Sequence, residues 1–132
     1  MSEHRRTEQK SLRSVRSDNF DAIRSYVDTH FLDVDITVRG IAERFFISER
    51  SLCRLFRRRV QMSPIEYIEY SRVEYAKFLL LAEHSSVEHI TSLLGYQNSA
   101  QFRKLFARFT GTSPSAWRRE NSRAVWQQEN RE

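Results

Sequence analysis

The stretch VRGIAERFFISERSLCRLFRRRVQMSP, residues 38–64, returns at residues 87–114 as VEHITSLLGYQNSAQFRKLFARFTGTSP. Before the turn in each copy the offset is 49, pairing Val38 with Val87, Ile41 with Ile90 and Phe45 with Leu94. After it the offset is 50, pairing Leu52 with Phe102, Arg54 with Lys104, Leu55 with Leu105, Phe56 with Phe106, and Ser63-Pro64 with Ser113-Pro114. The second copy therefore holds one extra residue in its turn, around GYQNS. A repeat of this kind marks a duplicated supersecondary unit. Each unit reads as a short helix, a turn, and a second helix closed by a Ser-Pro cap.

The remaining elements follow from apolar spacing and capping chemistry. Phe20, Ile23, Val27 and Phe31 recur at three- and four-residue intervals and predict a helix starting at Ser17 or Asp18. Thr37 and Ser48 are expected to cap the two helices of the first unit, and Ser85 or Ser86 the first helix of the second. Ser63-Pro64 opens a helix free of Gly and Pro to beyond Ala82, roughly 28 Å long at 1.5 Å per residue. Its apolar stripe is Ile65, Ile68, Val73, Ala76, Leu79 and Leu80, and Ser113-Pro114 opens a last helix carrying Trp117. With only three glycines and two prolines in 132 residues, the expected fold is all-α. It comprises a polar arm or linker remnant (1–17), a first helix-turn-helix subdomain (18–62), a long linker helix (63–83), a second helix-turn-helix subdomain (84–121), and a tail or frayed helix (122–132): about seven helices.

Charge separates the two faces of the second helix in each unit. One face is apolar: Leu52, Leu55, Phe56 and Val60, matched by Phe102, Leu105, Phe106 and Phe109. Opposite lie Arg50, Cys53 and Arg54, matched by Ala100, Arg103 and Lys104 at the i, i+3, i+4 spacing of one exposed ridge. Arg57 and Arg58 prolong the first ridge, Arg108 the second. Residues 1–35 carry six basic and seven acidic side chains, whereas 36–132 carry sixteen and ten. No acid occurs from Arg50 to Pro64 or from Gln101 to Arg119. A merely solvated face mixes signs, and two acid-free basic windows in so short a chain point to a polyanion. Both lie on the second helix of a helix-turn-helix, the element that enters a DNA major groove.

Other classes of function find little support. The single Cys53 precludes an internal disulfide and fits a reducing cytosol. No apolar run approaches the 18 or so residues of a membrane span, and the N-terminus lacks the apolar core of a secretion signal, so a cytoplasmic protein is expected. A phosphate-cradling glycine loop and a nucleophile elbow are both missing from the sequence. His84 and His89 lack partners at metal-ligand spacing. The expectation is a protein that is not an enzyme and takes no cofactor and no metal.

The second unit, ITSLLGYQNSAQFRKLFARFTGTSPSAWRR, resembles the signature of the AraC/XylS family of bacterial transcription regulators: a Gly-aromatic turn, the Phe102/Phe106 spacing, Gly-x-Ser-Pro and a closing aromatic-Arg. The resemblance runs from about Asp35 to Arg119. It implies two helix-turn-helix units that set recognition helices, about 49–60 and 99–110, into successive major grooves, in the manner of the MarA/SoxS/Rob-like group. It also implies activation of transcription and RNA polymerase as a further partner. A stand-alone member and an excised fragment both fit the absence of the family's usual sensor domain.

Positions matching the family's base-reading residues assign DNA base reading to Arg50, Cys53, Arg54, Ala100 and Lys104, joined by the adjacent Gln101, with Arg50 and Arg54 foremost because Arg on guanine O6/N7 is the commonest specific contact. Arg103 also matches a base-reading position, but with Ser48, Ser51, Arg57, Arg58 and Arg108 it is assigned to phosphate, which positions without specifying. Redox sensing is the alternative for Cys53. Glu66, Glu69 and Glu74 are expected on a solvated face. Two departures from the family pattern stand out: Gln61 and Phe46 occupy places where glycine is usual, so a left-handed backbone there is strained. Ala100 offers only an apolar contact, so the second unit is expected to read fewer bases. The alternative to a regulator is a helical protein-interaction module with sequence-blind affinity for nucleic acid.

Overall fold

A computed structural model describes residues 19–82 and 84–129. Among them every regular element is a helix: α1 (19–30), α2 (Val38–Arg44), α3 (Glu49–Val60), α4 (Pro64–Ala82), α5 (Val87–Leu93), α6 (Ser99–Thr110) and α7 (Pro114–Glu129). The expected arm 1–17, and with it the start of the first helix at Ser17 or Asp18, lies outside the described residues. Helix α7 takes in residues 122–129 of the stretch read as a tail or frayed helix, and 130–132 lie outside the described residues.

Short polar side chains set the helix starts. Thr37 Oγ1 accepts from Gly40 N at 2.9 Å, Ser48 Oγ from Ser51 N at 3.0 Å and Ser86 Oγ from His89 N at 3.1 Å. Ser63 and Ser113 do the same for Glu66 and Ala116, each one residue before a proline whose missing N–H costs nothing there. The cap of α6 is Asn98, whose Oδ1 accepts from Ala100 N at 2.8 Å. Each cap satisfies an N–H that the helix leaves without a partner, worth about 1 kcal/mol.

The described residues divide into two compact units, 19–31 with 35–67 and 32–34 with 68–82 and 84–129, so that α4 begins in one and continues in the other. In the first unit Phe20, Ile23 and Val27 of α1 are buried, as are Ile41 and Ala42 of α2, Leu52 and Phe56 of α3, and Tyr67 at the start of α4. Phe56 stands edge-on to Phe20, with ring centroids 5.4 Å apart, and to Tyr67 at 5.5 Å. In the second unit Val73, Ala76, Leu79 and Leu80 of α4 form one core with Val87, Ile90 and Leu94 and with Phe102, Leu105 and Phe106 of α6. Phe106 stands edge-on to Trp117 at 6.1 Å. Burying each of these large side chains contributes about 1.5–3 kcal/mol.

The repeat thus extends past the Ser-Pro cap, because Tyr67 and Trp117, again 50 apart, cover equivalent phenylalanines. It also extends backwards: Val73, Ala76 and Leu80 repeat the spacing of Phe20, Ile23 and Val27, so α4 does for α5 and α6 what α1 does for α2 and α3. Ile65 departs from expectation. Its spacing puts it on the apolar stripe of α4, yet it is 49% exposed, while Tyr67 and Ile68 take the inward positions. Of Leu93 and Leu94, only Leu94 is buried.

Tyr67 also carries a partly buried polar contact in the first unit. Its hydroxyl donates to Asp28 Oδ1 at 2.6 Å and accepts from Arg24 Nε at 3.2 Å, tying α4 to α1. Burial, then the hydrogen bond to Asp28, raises the Tyr67 hydroxyl pKa above its ordinary value, with Arg24 acting in the opposite sense.

Candidate nucleic-acid interface

Each unit presents the same device: a capped first helix, a turn through the left-handed region, and a second helix with one face in the core. In the first turn Phe46 has φ 57° and in the second Gly95 has φ 86°. The left-handed residue lets the chain reverse within a few residues, and the next cap, Ser48 or Asn98, starts the second helix.

On α3, burial of Leu52 and Phe56 turns Arg50, Arg54, Arg57 and Arg58 outward, all exposed, with Cys53 half-buried between them. The four arginines follow one another at i, i+4, i+7 and i+8. Like charges at such spacing destabilise a helix by a few tenths of a kcal/mol per pair. Arg57 and Arg58 recover some of this by sitting in the last turn, where the helix dipole favours cations. Arg50 does not: it stands in the first turn, where the dipole opposes a cation. None of the four has an ion pair among the described residues. Helix stability therefore does not account for this ridge, and a polyanion laid along it would relieve its repulsion.

Arg59 is a different case. Its guanidinium lies over the Phe20 ring, 5.0 Å from the centroid, and 3.9 Å from Asp21, so it belongs to the packing of α3 on α1. Ser48 and Ser51, both exposed, engage each other: Ser48 Oγ accepts from Ser51 N and donates to Ser51 Oγ at 2.9 Å.

On α6, Phe102, Leu105 and Phe106 are buried and Ala100, Gln101, Arg103, Lys104 and Arg108 are exposed. Lys104 has no ion pair among the described residues, but both arginines do. Arg103 Nη2 donates to Glu88 Oε1 of α5 at 2.8 Å, and Arg108 Nη2 to Glu69 Oε2 of α4. Glu69 was expected on a solvated face; its side chain is instead only 23% exposed and holds Arg108. Glu74, of the same expected face, pairs with Lys77 at 2.7 Å. Neither Glu69 nor Glu88 was singled out as a partner of the ridge from sequence. The signal for Glu88 was available: it occupies the repeat position of Arg39, so the charge of that place reverses between the units.

Among the described residues no three His, Cys, Asp or Glu side chains gather as a metal site would require, and no helix is long and apolar enough to cross a membrane.

Comparison with known proteins agrees with this geometry. The model of a family described as a helix-turn-helix domain matches residues 41–120, more than half of the chain. A relative, the uncharacterized HTH-type transcriptional regulator YijO of Escherichia coli, is 34% identical over 101 residues, covering 76% of this chain and 35% of YijO. The chain spans about a third of the length of the curated relatives it matches. Among solved structures, the C-terminal domain of AraT, a response regulator from Geobacillus stearothermophilus, superposes with a TM-score of 0.70 at 29% identity, covering 76% of this chain and 83% of that one. The DNA-binding domain of AdpA, solved in complex with a target DNA, shares the fold with a TM-score of 0.68 at 24% identity, covering 83% and 94%.

Proposed function

The chain belongs to the AraC-type family of helix-turn-helix proteins, and on that premise we propose that it is a sequence-specific, double-stranded-DNA-binding transcription regulator, an activator that binds as a single chain. Helices α3 and α6 enter successive major grooves. Arg50, Cys53, Arg54, Ala100, Gln101 and Lys104 face base edges, and Ser48, Ser51, Arg57, Arg58, Arg103 and Arg108 face phosphates. The role is that of a binding protein rather than an enzyme, exercised at the bacterial nucleoid, with RNA polymerase as the protein partner. The observation that supports this reading best is the exposed basic ridge of α3, whose Arg50, Arg54, Arg57 and Arg58 have no ion pair among the described residues, with Lys104 and Arg108 of α6 at the repeat positions of Arg54 and Arg58.

Selection of bound DNA from a random duplex pool tests it. The expected product is one asymmetric motif with two half-elements about 10–10.5 base pairs apart, one helical turn. Arg54→Ala should then cost about 1–3 kcal/mol and relax preference at one base pair. Arg58→Ala should weaken all sequences alike and reduce the salt slope by about 0.9. Even retention of every sequence would instead indicate the interaction module with sequence-blind affinity.

A further inference from the structure

The two ridges differ in what their arginines do when no DNA is present. On α3, Arg50, Arg54, Arg57 and Arg58 have no carboxylate partner among the described residues, whereas on α6 Arg103 is held by Glu88 and Arg108 by Glu69. The repeat shows that this is a substitution of one unit relative to the other. Where the second unit has Glu88 and Arg103, the first has Arg39 and Cys53, a pair unable to make that bridge. Arg39 instead pairs with Glu43 one turn along its own helix, at 3.1 Å.

Resting on the DNA-binding reading above, we infer that Glu88 and Glu69 are specificity-determining residues that act through Arg103 and Arg108, withholding the second unit's guanidiniums from phosphate on arbitrary DNA. Affinity for arbitrary duplex is set by how many phosphates the protein neutralises and how many counter-ions leave. An arginine already neutralised by a neighbouring carboxylate releases fewer counter-ions, and it must give up its partner before it reaches a phosphate. The bridge between Arg103 and Glu88 is half-exposed on both sides and so is weak enough to be exchanged. The first unit therefore supplies the general grip on DNA. The second engages fully only where base contacts along α6 repay the exchange. Neutralising the carboxylates makes a tighter and less discriminating binder.

The test is fluorescence anisotropy of the full chain on a labelled duplex of random sequence, as a function of salt. Glu88→Gln should raise affinity about two- to fivefold at low salt and steepen the slope of log K against log salt by about 0.9. Glu69→Gln should do the same. Glu120→Gln, which makes the same change in net charge at an exposed carboxylate with no ion pair among the described residues, should have a smaller effect and leave the slope unchanged. In an Arg103→Ala background the Glu88→Gln gain should fall to that of Glu120→Gln, with the slope unchanged. The inference is overturned if Glu88→Gln behaves as Glu120→Gln does, or if it lowers affinity, which would mean that the carboxylate aims Arg103 at phosphate. A wild-type chain that does not bind duplex at all fails at the level of the proposed function, a result these outcomes keep distinct.

Discussion

The two helix-turn-helix units have equivalent cores and differ at the edges of those cores. Phe56 and Phe106 are fully buried in the same place, each meeting the aromatic ring that follows a Ser-Pro cap. At their rims the first unit has Phe46 and Gln61 where the second has Gly95 and Gly111; Cys53 stands where the second unit has the paired Arg103, and Arg58, with no ion pair among the described residues, stands where it has the paired Arg108. What duplication preserved is the packing that builds the motif. What it let drift is the backbone chemistry of the turns and the electrostatics of the exposed ridge, the properties that set how strongly each unit holds itself together and how it meets a ligand.

If the cores are equivalent, deletion of equivalent rings should cost alike. Phe56→Ala and Phe106→Ala each remove a fully buried phenyl group and should lower stability by about 3–5 kcal/mol in urea denaturation. A cost at one position less than half that at the other would break the equivalence, showing that one core collapses around its cavity while the other stays open.

Tyr67 and Trp117 sharpen the comparison, because equal packing there is joined to unequal polar chemistry. Tyr67→Phe keeps the ring on Phe56 but removes the donor to Asp28 and the acceptor for Arg24. Both of those residues are otherwise exposed and regain water, so the cost should be about 1–2 kcal/mol. The same hydroxyl gives the first unit a sensitivity to alkali. Its pKa is raised on folding, so the folded state holds the proton more tightly than the unfolded chain does. That contribution to stability is complete below the unfolded tyrosine value near pH ~10 and is lost as pH rises through the folded value. Denaturation followed upward from about pH 9 should show a steeper fall for the wild-type protein than for Tyr67→Phe. Equal slopes would mean that other groups carry the alkaline loss.

The split between core and rim is also the split between what could and could not be read from the residues. Helices α3 and α6 begin and end where expected because a buried face of period 3.6 and a start capped by a polar side chain are local properties. Ile65 misled because α4 is apolar around most of its circumference, and period alone does not say which side another helix covers. Asp28 and Arg24 lie 39 and 43 residues from Tyr67, Glu88 lies 15 from Arg103 and Glu69 lies 39 from Arg108, beyond any i, i+4 argument. Even so, extending the repeat past Ser63-Pro64 would have paired Tyr67 with Trp117, and comparing Arg39 with Glu88 would have exposed the charge reversal.

The smallest effect belongs to the turns, and it runs in opposite directions in the two units. Gly111 closes α6 at φ 80°, with open space where a Cβ would stand, so Gly111→Gln meets no clash and pays only the left-handed penalty. Part of that penalty is returned because glycine loses more freedom on folding, leaving a net cost of about 1 kcal/mol. Gln61, at φ 57° in the matching place, already bears this strain, so Gln61→Gly should stabilise by somewhat less than about 1 kcal/mol. Its gain is trimmed by loss of the exposed hydrogen bond from Gln61 Nε2 to the Arg58 carbonyl at 3.3 Å. Paired thermal denaturation of the two variants gives the sign of each. Should Gln61→Gly destabilise instead, that side-chain bond outweighs the backbone strain, and the non-glycine turn of the first unit would be a stabilising feature of the helix end rather than a tolerated cost.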